Sequence, residues 1–268
     1  MKHRAFFRTH PVFTGEELAQ HLAAKGAVGP RTQEALLAYY KKTGRLISVR
    51  RGVYAVVPEG ADPASYPVDP FLIAAKLTRD AVLSHHTALE FHGYAYSLHQ
   101  HFAYTAARPL PTFTFRGYTF RGVHVPTTLR RAGQQDFGVF PTERLGVEIR
   151  VTNLERTLVD VLARPALAGG WEEVWRSLES VEFFDLDQVV AYVRLLGNAT
   201  TAAKVGFFLE QHRDALMVAE EHLQALWKLR PHQPRYLERS KRKEGRLVPK
   251  WNLIVPLELL EQTWAEVL

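Results

Sequence analysis

The chain of 268 residues is long enough for about two domains, on a soft prior of roughly 150 residues each. Its hydrophobic share of 46% excludes a wholly disordered chain. The lack of any cysteine excludes disulfides, thiolate metal sites and cysteine nucleophiles.

The formal charge of +6 is segregated along the chain. Residues 1–58 hold ten Lys/Arg against three Glu, residues 228–250 hold nine against two, and residues 59–227 hold 15 against 20. Two basic ends around an acidic middle are the footprint expected of a nucleic-acid binder, although a solvated surface gives the same composition. Basic Met1-Lys-His-Arg-Ala-Phe-Phe-Arg8 leads into no apolar stretch of signal-peptide length. Nor does any run approach the ~20 apolar residues that cross a bilayer. A cytoplasmic, soluble protein without membrane partners is expected, and the missing cysteines fit a reducing compartment.

A first helix is predicted near residues 2–9, with a short strand at Val12-Phe13. Thr14-Gly-Glu-Glu17 is a capping box, and the helix it opens spaces Leu18, His21, Leu22 and Lys25 by three and four before stopping at Gly26. Gly29-Pro30 starts a second helix over about Arg31–Thr43. It turns Leu36, Leu37 and Tyr40 inward, and Arg31, Gln33, Glu34 and Lys41 outward. From Leu46 to Val57 apolar residues alternate on both sides of Arg50-Arg51-Gly52, the pattern of a hairpin with a glycine turn. Two helices and a hairpin with a basic tip predict a winged helix-turn-helix over residues 1–60. The second helix of such a unit enters the major groove by its N-terminal residues. Arg31 suits guanine, Gln33 suits adenine, and Thr32 is a lesser contact. Lys41, Lys42, Arg45, Arg50 and Arg51 suit phosphates, which position the protein without specifying sequence. The bland alternative is a protein-interaction module with solvated cations.

Ser65-Tyr-Pro-Val-Asp-Pro70 reads as a linker, with Asp69-Pro70 capping a helix through Leu77. Ala81-Val-Leu83 is a short strand, and Ser84 caps a helix through His92 that ends at Gly93. Strands follow at 101–105, 112–116, 117–125 and 147–152, with turns at Arg116-Gly117 and Arg121-Gly122. Thr152-Asn-Leu-Glu155 is a second capping box, opening a helix over 155–162. Helices are predicted at 171–181, 186–196, 199–212 and 219–229. A basic loop over 230–246, a strand at 251–255 and a last helix at 257–267 finish the chain. The predicted fold class is α+β. The winged helix is followed by a C-terminal domain over residues 68–268, a mixed sheet at about 69–152 and a mainly helical part at 153–268.

Three blocks carry a resemblance. They are Arg51-Gly-Val-Tyr-Ala55 with Asp69-Pro-Phe-Leu-Ile-Ala-Ala-Lys-Leu77, then Leu83-Ser-His-His-Thr-Ala-Leu-Glu-Phe-His-Gly93, and, as the strongest, Val151-Thr-Asn-Leu-Glu-Arg-Thr-Leu-Val-Asp-Val-Leu-Ala-Arg-Pro-Ala-Leu-Ala-Gly-Gly170. In this order the chain resembles the AbiEi family of abortive-infection antitoxins, over residues from about 12 to 215. The resemblance implies a type IV toxin–antitoxin system. Its antitoxin represses its own operon at inverted repeats of double-stranded DNA through the winged helix. Its C-terminal domain counters a nucleotidyltransferase-like toxin without a stable complex. The recognition helix does not carry over.

Three clusters remain. His85, His86 and His92 share one short helix, but zincin-type pairs want i,i+4 spacing with an acidic partner, so packing and hydrogen bonding is the expected role and no metal or cofactor is expected. Glu155, Arg156 and Asp160 place an i,i+4 ion pair beside a cap. They either order the junction of sheet and helices or form an antitoxic surface. Arg239, Lys241, Arg242, Lys243 and Arg246 offer a second nucleic-acid contact, or a solvated loop. No phosphate loop and no serine-hydrolase elbow occurs, so no catalytic residue is assigned. The expected function is transcriptional autorepression with toxin neutralisation, and not an enzyme. The alternatives are a nuclease or kinase-like antagonist of the toxin, and a plain repressor with a ligand-sensing C-terminal domain.

Overall fold

In the computed structural model, residues 3–26, 29–238 and 245–261 are described. The chain is mixed α/β, with three sheets among these residues. It divides into two compact units, one of Met1–Leu83, Gln100–Val123 and Pro141–Arg150, the other of Ser84–His99, His124–Phe140 and Val151–Leu268. Among the described residues no helix is long and apolar enough to cross a membrane.

The first unit begins with α1 (Arg4–Thr9), β1 (Val12–Thr14), α2 (Gly15–Ala23), α3 (Pro30–Lys42), β2 (Leu46–Arg50) and β3 (Val53–Val56). Thr14 caps α2 as expected. Its hydroxyl accepts from the Glu17 amide while Glu17 accepts from the Thr14 amide, so two donors that the helix leaves over are satisfied reciprocally. The strands form a sheet in the order β1-β3-β2, antiparallel throughout, with Val12 opposite Ala55 and Ile47 opposite Ala55 on the other side. Its core is small and aromatic. Phe6, Phe7, Phe13, Leu18, Leu22, Leu37, Tyr40 and Leu46 are buried together, with Phe7 edge-on to Tyr40. α4 (Pro70–Ala75) starts at Asp69, whose side chain accepts from Leu72.

A six-stranded sheet runs in the order β6-β7-β5-β4-β9-β8, from β4 (Val82–Leu83), β5 (His101–Ala106), β6 (Phe113–Phe115), β7 (Tyr118–His124), β8 (Val139–Arg144) and β9 (Val147–Thr152). The expected turn at Arg116-Gly117 is present, whereas Arg121-Gly122 is not a turn and lies within β7. Glycine is needed there for close approach, because a Cβ at 122 would overlap Pro109 and crowd the Tyr104 hydroxyl.

The second unit holds α5 (His86–His92), α6 (Thr127–Arg131), α7 (Leu154–Ala163), α8 (Trp171–Glu179), α9 (Leu186–Leu196), α10 (Ala199–Gln211) and α11 (Glu220–Leu229). Two expected caps move by one residue. α5 follows His85 (φ 55) rather than starting at Ser84, and α7 is capped by Asn153, which accepts from the Arg156 amide. Thr152 instead bonds the Thr157 hydroxyl at 2.7 Å. Leu158, Leu162, Trp175, Leu178, Val189, Val193, Phe207, Phe208, Leu223 and Leu226 belong to one buried cluster. A small sheet in the order β10-β12-β11 ends the unit, from β10 (Arg235–Tyr236), β11 (Gly245–Val248) and β12 (Leu253–Pro256), followed by α12 (Leu257–Glu261). Periodicity did not predict β10 or β11, which are too short to show alternation. Between β11 and β12 a 3-10 turn carries fully buried Trp251, whose indole donates to Glu210 at 2.6 Å and fills the space that a side chain at Gly206 would take.

Candidate nucleic-acid interface

α3 turns one side to its core, where Leu37 and Tyr40 are buried, and the other to solvent. Arg31, Thr32, Glu34, Ala35, Ala38, Tyr39, Lys41 and Lys42 are exposed. Pro30 at the first helical position gives up an amide that would have no partner there anyway. Arg31, Lys41 and Lys42 form no ion pair among the described residues. Gln33 faces the other way. Its amide nitrogen donates to the Gly15 carbonyl at 2.5 Å and ties α3 to the start of α2, so the side chain expected to read adenine is engaged within the unit.

The hairpin divides its two arginines. Arg51 is exposed at the turn, where Gly52 takes φ 84. Arg50 lies over the Phe113 ring at 4.8 Å, with Nη1 buried, and serves packing as much as charge. Arg45 pairs with Glu59 at 3.2 Å, which removes part of its field. Behind the turn is a cleft of about 710 Å³ whose lining includes Arg51, Lys76, Arg79 and Arg150. Lys76 is bonded to Glu17 at 2.5 Å and Arg79 to Glu16, so much of the positive charge on its α4 side is already answered. Burial works to raise the Glu17 pKa, but the Lys76 and Thr14 hydrogen bonds outweigh it and hold the carboxyl below its ordinary value.

The other sequence clusters fall elsewhere. Arg246 is exposed on β11, while Arg239, Lys241, Arg242 and Lys243 lie outside the described residues. Arg156 is 1% exposed and Asp160 is buried, which leaves them an ordering role and takes them off the surface. Arg156 donates to the Gln135 and Phe137 carbonyls at 2.9 and 2.8 Å and faces Asp160 at 3.5 Å. The Tyr192 hydroxyl donates to Asp160 at 2.8 Å, and burial, then the nearby carboxylate, pushes that phenol well above its ordinary pKa. Glu155 is half-buried and accepts from the Asp185 amide.

The histidines separate. His85 is buried against Ser84, and His92 bonds the Thr152 carbonyl at 2.8 Å. His86 meets His99 and Glu173, two residues that sequence reasoning did not single out because they stand 13 and 87 positions away.

No family model and no curated protein matches the chain. Among solved structures it is similar to the RV2827C protein from Mycobacterium tuberculosis, with a TM-score of 0.60 and 19% identity over 95% of this chain and 89% of that one. The likeness establishes a shared fold.

Proposed function

We propose that the chain is a DNA-binding antitoxin of the AbiEi type, in which α1 to β3 is a winged helix-turn-helix with α3 as its recognition helix. The observation that carries the DNA reading is the outer side of α3, where Arg31, Lys41 and Lys42 are exposed and form no ion pair among the described residues. The excess of basic residues over residues 1–58 supports it. Arg31, at the N-terminal end of α3, reads a base edge. Small Ala35 and Ala38 let the helix sit deep in the groove, and Tyr39 adds an aromatic contact that the sequence pattern did not mark. Lys41, Lys42 and Arg51 bind phosphates. Repression of its own operon at inverted repeats, and neutralisation of a nucleotidyltransferase-like toxin, rest on the sequence blocks at 51–55, 69–77, 83–93 and 151–170.

The test is fluorescence anisotropy of the purified protein on its own upstream duplex, with a scrambled duplex beside it, over a salt series. Specific binding that weakens in Arg31→Ala is expected. Equal affinity for both duplexes, unchanged by the substitution, overturns the reading.

A further inference from the structure

We propose that His86, His99 and Glu173 form a binding site for one divalent cation of the zinc class, a site that does not depend on the DNA-binding reading. The three residues come from the start of α5, the segment after it and the first turn of α8, all within the second unit. One ligand atom from each lies within 4.8 Å of the others. His86 Nε2 is 3.0 Å from Glu173 Oε1, and His99 Nε2 is 3.9 Å from Glu173 Oε2. A zinc ion bound at ~2.0–2.1 Å sets the edges of its tetrahedron at about 3.3–3.4 Å, so these separations bracket the required size. The Ser97 hydroxyl stands 3.0 Å from His99 Nε2 and 2.5 Å from Glu173 Oε2, leaving a water or that hydroxyl for the fourth position.

The proton arrangement of His86 argues for a cation. Its side chain is 2% exposed, and Nδ1 lies 3.8 Å from Glu90 Oε2 without a hydrogen-bond partner. With the proton on Nδ1, the Nε2 lone pair faces the Glu173 carboxylate, acceptor against acceptor at 3.0 Å. With the proton on Nε2, the buried Nδ1 lone pair faces a carboxylate instead. A cation at Nε2 leaves the proton on Nδ1 facing the Glu90 carboxylate at 3.8 Å, a gap that must close by about 1 Å to give the carboxylate–histidine–metal order that fixes the tautomer of many ligating histidines. The His99 ring is stacked on His86 at 3.9 Å and 7°, so its lone pair lies in a plane parallel to that of His86. It must turn to converge, and as a partly exposed side chain it has room to do so. His85, next to the first ligand, holds the strained φ of 55° at which functional sites often store distortion. Gly169, at φ +81, keeps the space where a Cβ would strike both His99 and Glu173.

The experiment is a Co²⁺ titration of the full chain after EDTA treatment, read by visible absorption and followed by Zn²⁺ competition. One equivalent of Co²⁺ with tetrahedral d–d bands, displaced by Zn²⁺, is expected. His99→Ala and Glu173→Gln are expected to weaken binding by about 100-fold or more, since even partners outside the ligand set are worth 10–100-fold. His232→Ala, a distant histidine, is expected to bind as wild type. A wild-type chain that takes up no stoichiometric Co²⁺ overturns the proposal, leaving a hydrogen-bonded network charged only by protons. So does His99→Ala binding as tightly as wild type. The His99 side chain is the most exposed of the three, so its variant keeps the test decisive where a buried substitution prevents folding.

Discussion

Arg31 and Arg156 both sit in the first turn of a helix, α3 in one unit and α7 in the other. Arg31 is exposed and forms no ion pair among the described residues, whereas Arg156 is 1% exposed, donates to two carbonyls and faces a carboxylate. The same side chain at nearly the same helical position thus faces solvent in one region and is an internal brace in the other. What separates them is burial. The first turn of α7 is closed over by residues 135–137, so every donor there must be answered internally, at high cost if one is not.

Substitution sharpens this contrast, beginning with the largest effect. Arg156→Ala removes the partner of buried Asp160 and of two carbonyls, and should lower unfolding free energy by about 3–5 kcal/mol in urea denaturation. At a temperature where the variant is still folded, its DNA affinity should match wild type. Arg31→Ala should do the opposite, with no change in melting temperature and a loss of about 1–3 kcal/mol in operator binding. Lys41→Ala, Lys42→Ala and Arg51→Ala should each reduce the logarithmic salt slope by about 0.9 while weakening all sequences alike.

Lys204 gives a smaller effect with a pH signature. Its ammonium on α10 lies 5.1 Å from the Trp171 ring, donates to Ala163, and burial lowers its pKa to about 8. The unfolded chain, with the ordinary 10.5, then holds more protons between those two values, so stability from this group rises with pH across that window. Lys204→Met should therefore stabilise the protein by about 1–2 kcal/mol at pH 7, with the gain fading towards pH 10.5, in melts run as pairs against wild type. Thr14→Ala, which removes one half of the capping box, should cost about 1 kcal/mol.

Much of the fold was legible in the sequence. The Thr14 box, the Gly29-Pro30 start of α3 and the glycine turn at Gly52 are local signals, and α2, α3 and the β2–β3 hairpin stand within a few residues of their expected places, whereas α6 and β8 were not expected. Arg121-Gly122 misled because the same dipeptide serves a turn or a crowded strand, and only the neighbours Tyr104 and Pro109 decide. Gln33 misled for a similar reason. Helical spacing gives the angle of a side chain around its own axis, not the carbonyl of Gly15 that waits beside it. The His86, His99 and Glu173 group was invisible because it is assembled by tertiary contact, with ligands too far apart in sequence to share a helix. Tyr39 was the readable omission, since it continues the exposed stripe of α3 beside Ala35 and Ala38.

The chain passes between its two units five times. During synthesis, the segment through Leu83 leaves the ribosome well before β5 and β9 exist to pair with β4, and α5 emerges long before the helices that bury Leu89. The first unit is synthesised in full by Arg150, while the second still awaits most of its helices. Trp251 delays closure further, for until it emerges the groove over Gly206 is empty and the Glu210 carboxylate lacks its indole partner. A nascent chain halted short of that residue is an incomplete core with exposed apolar surface, open to chaperones and proteases alike.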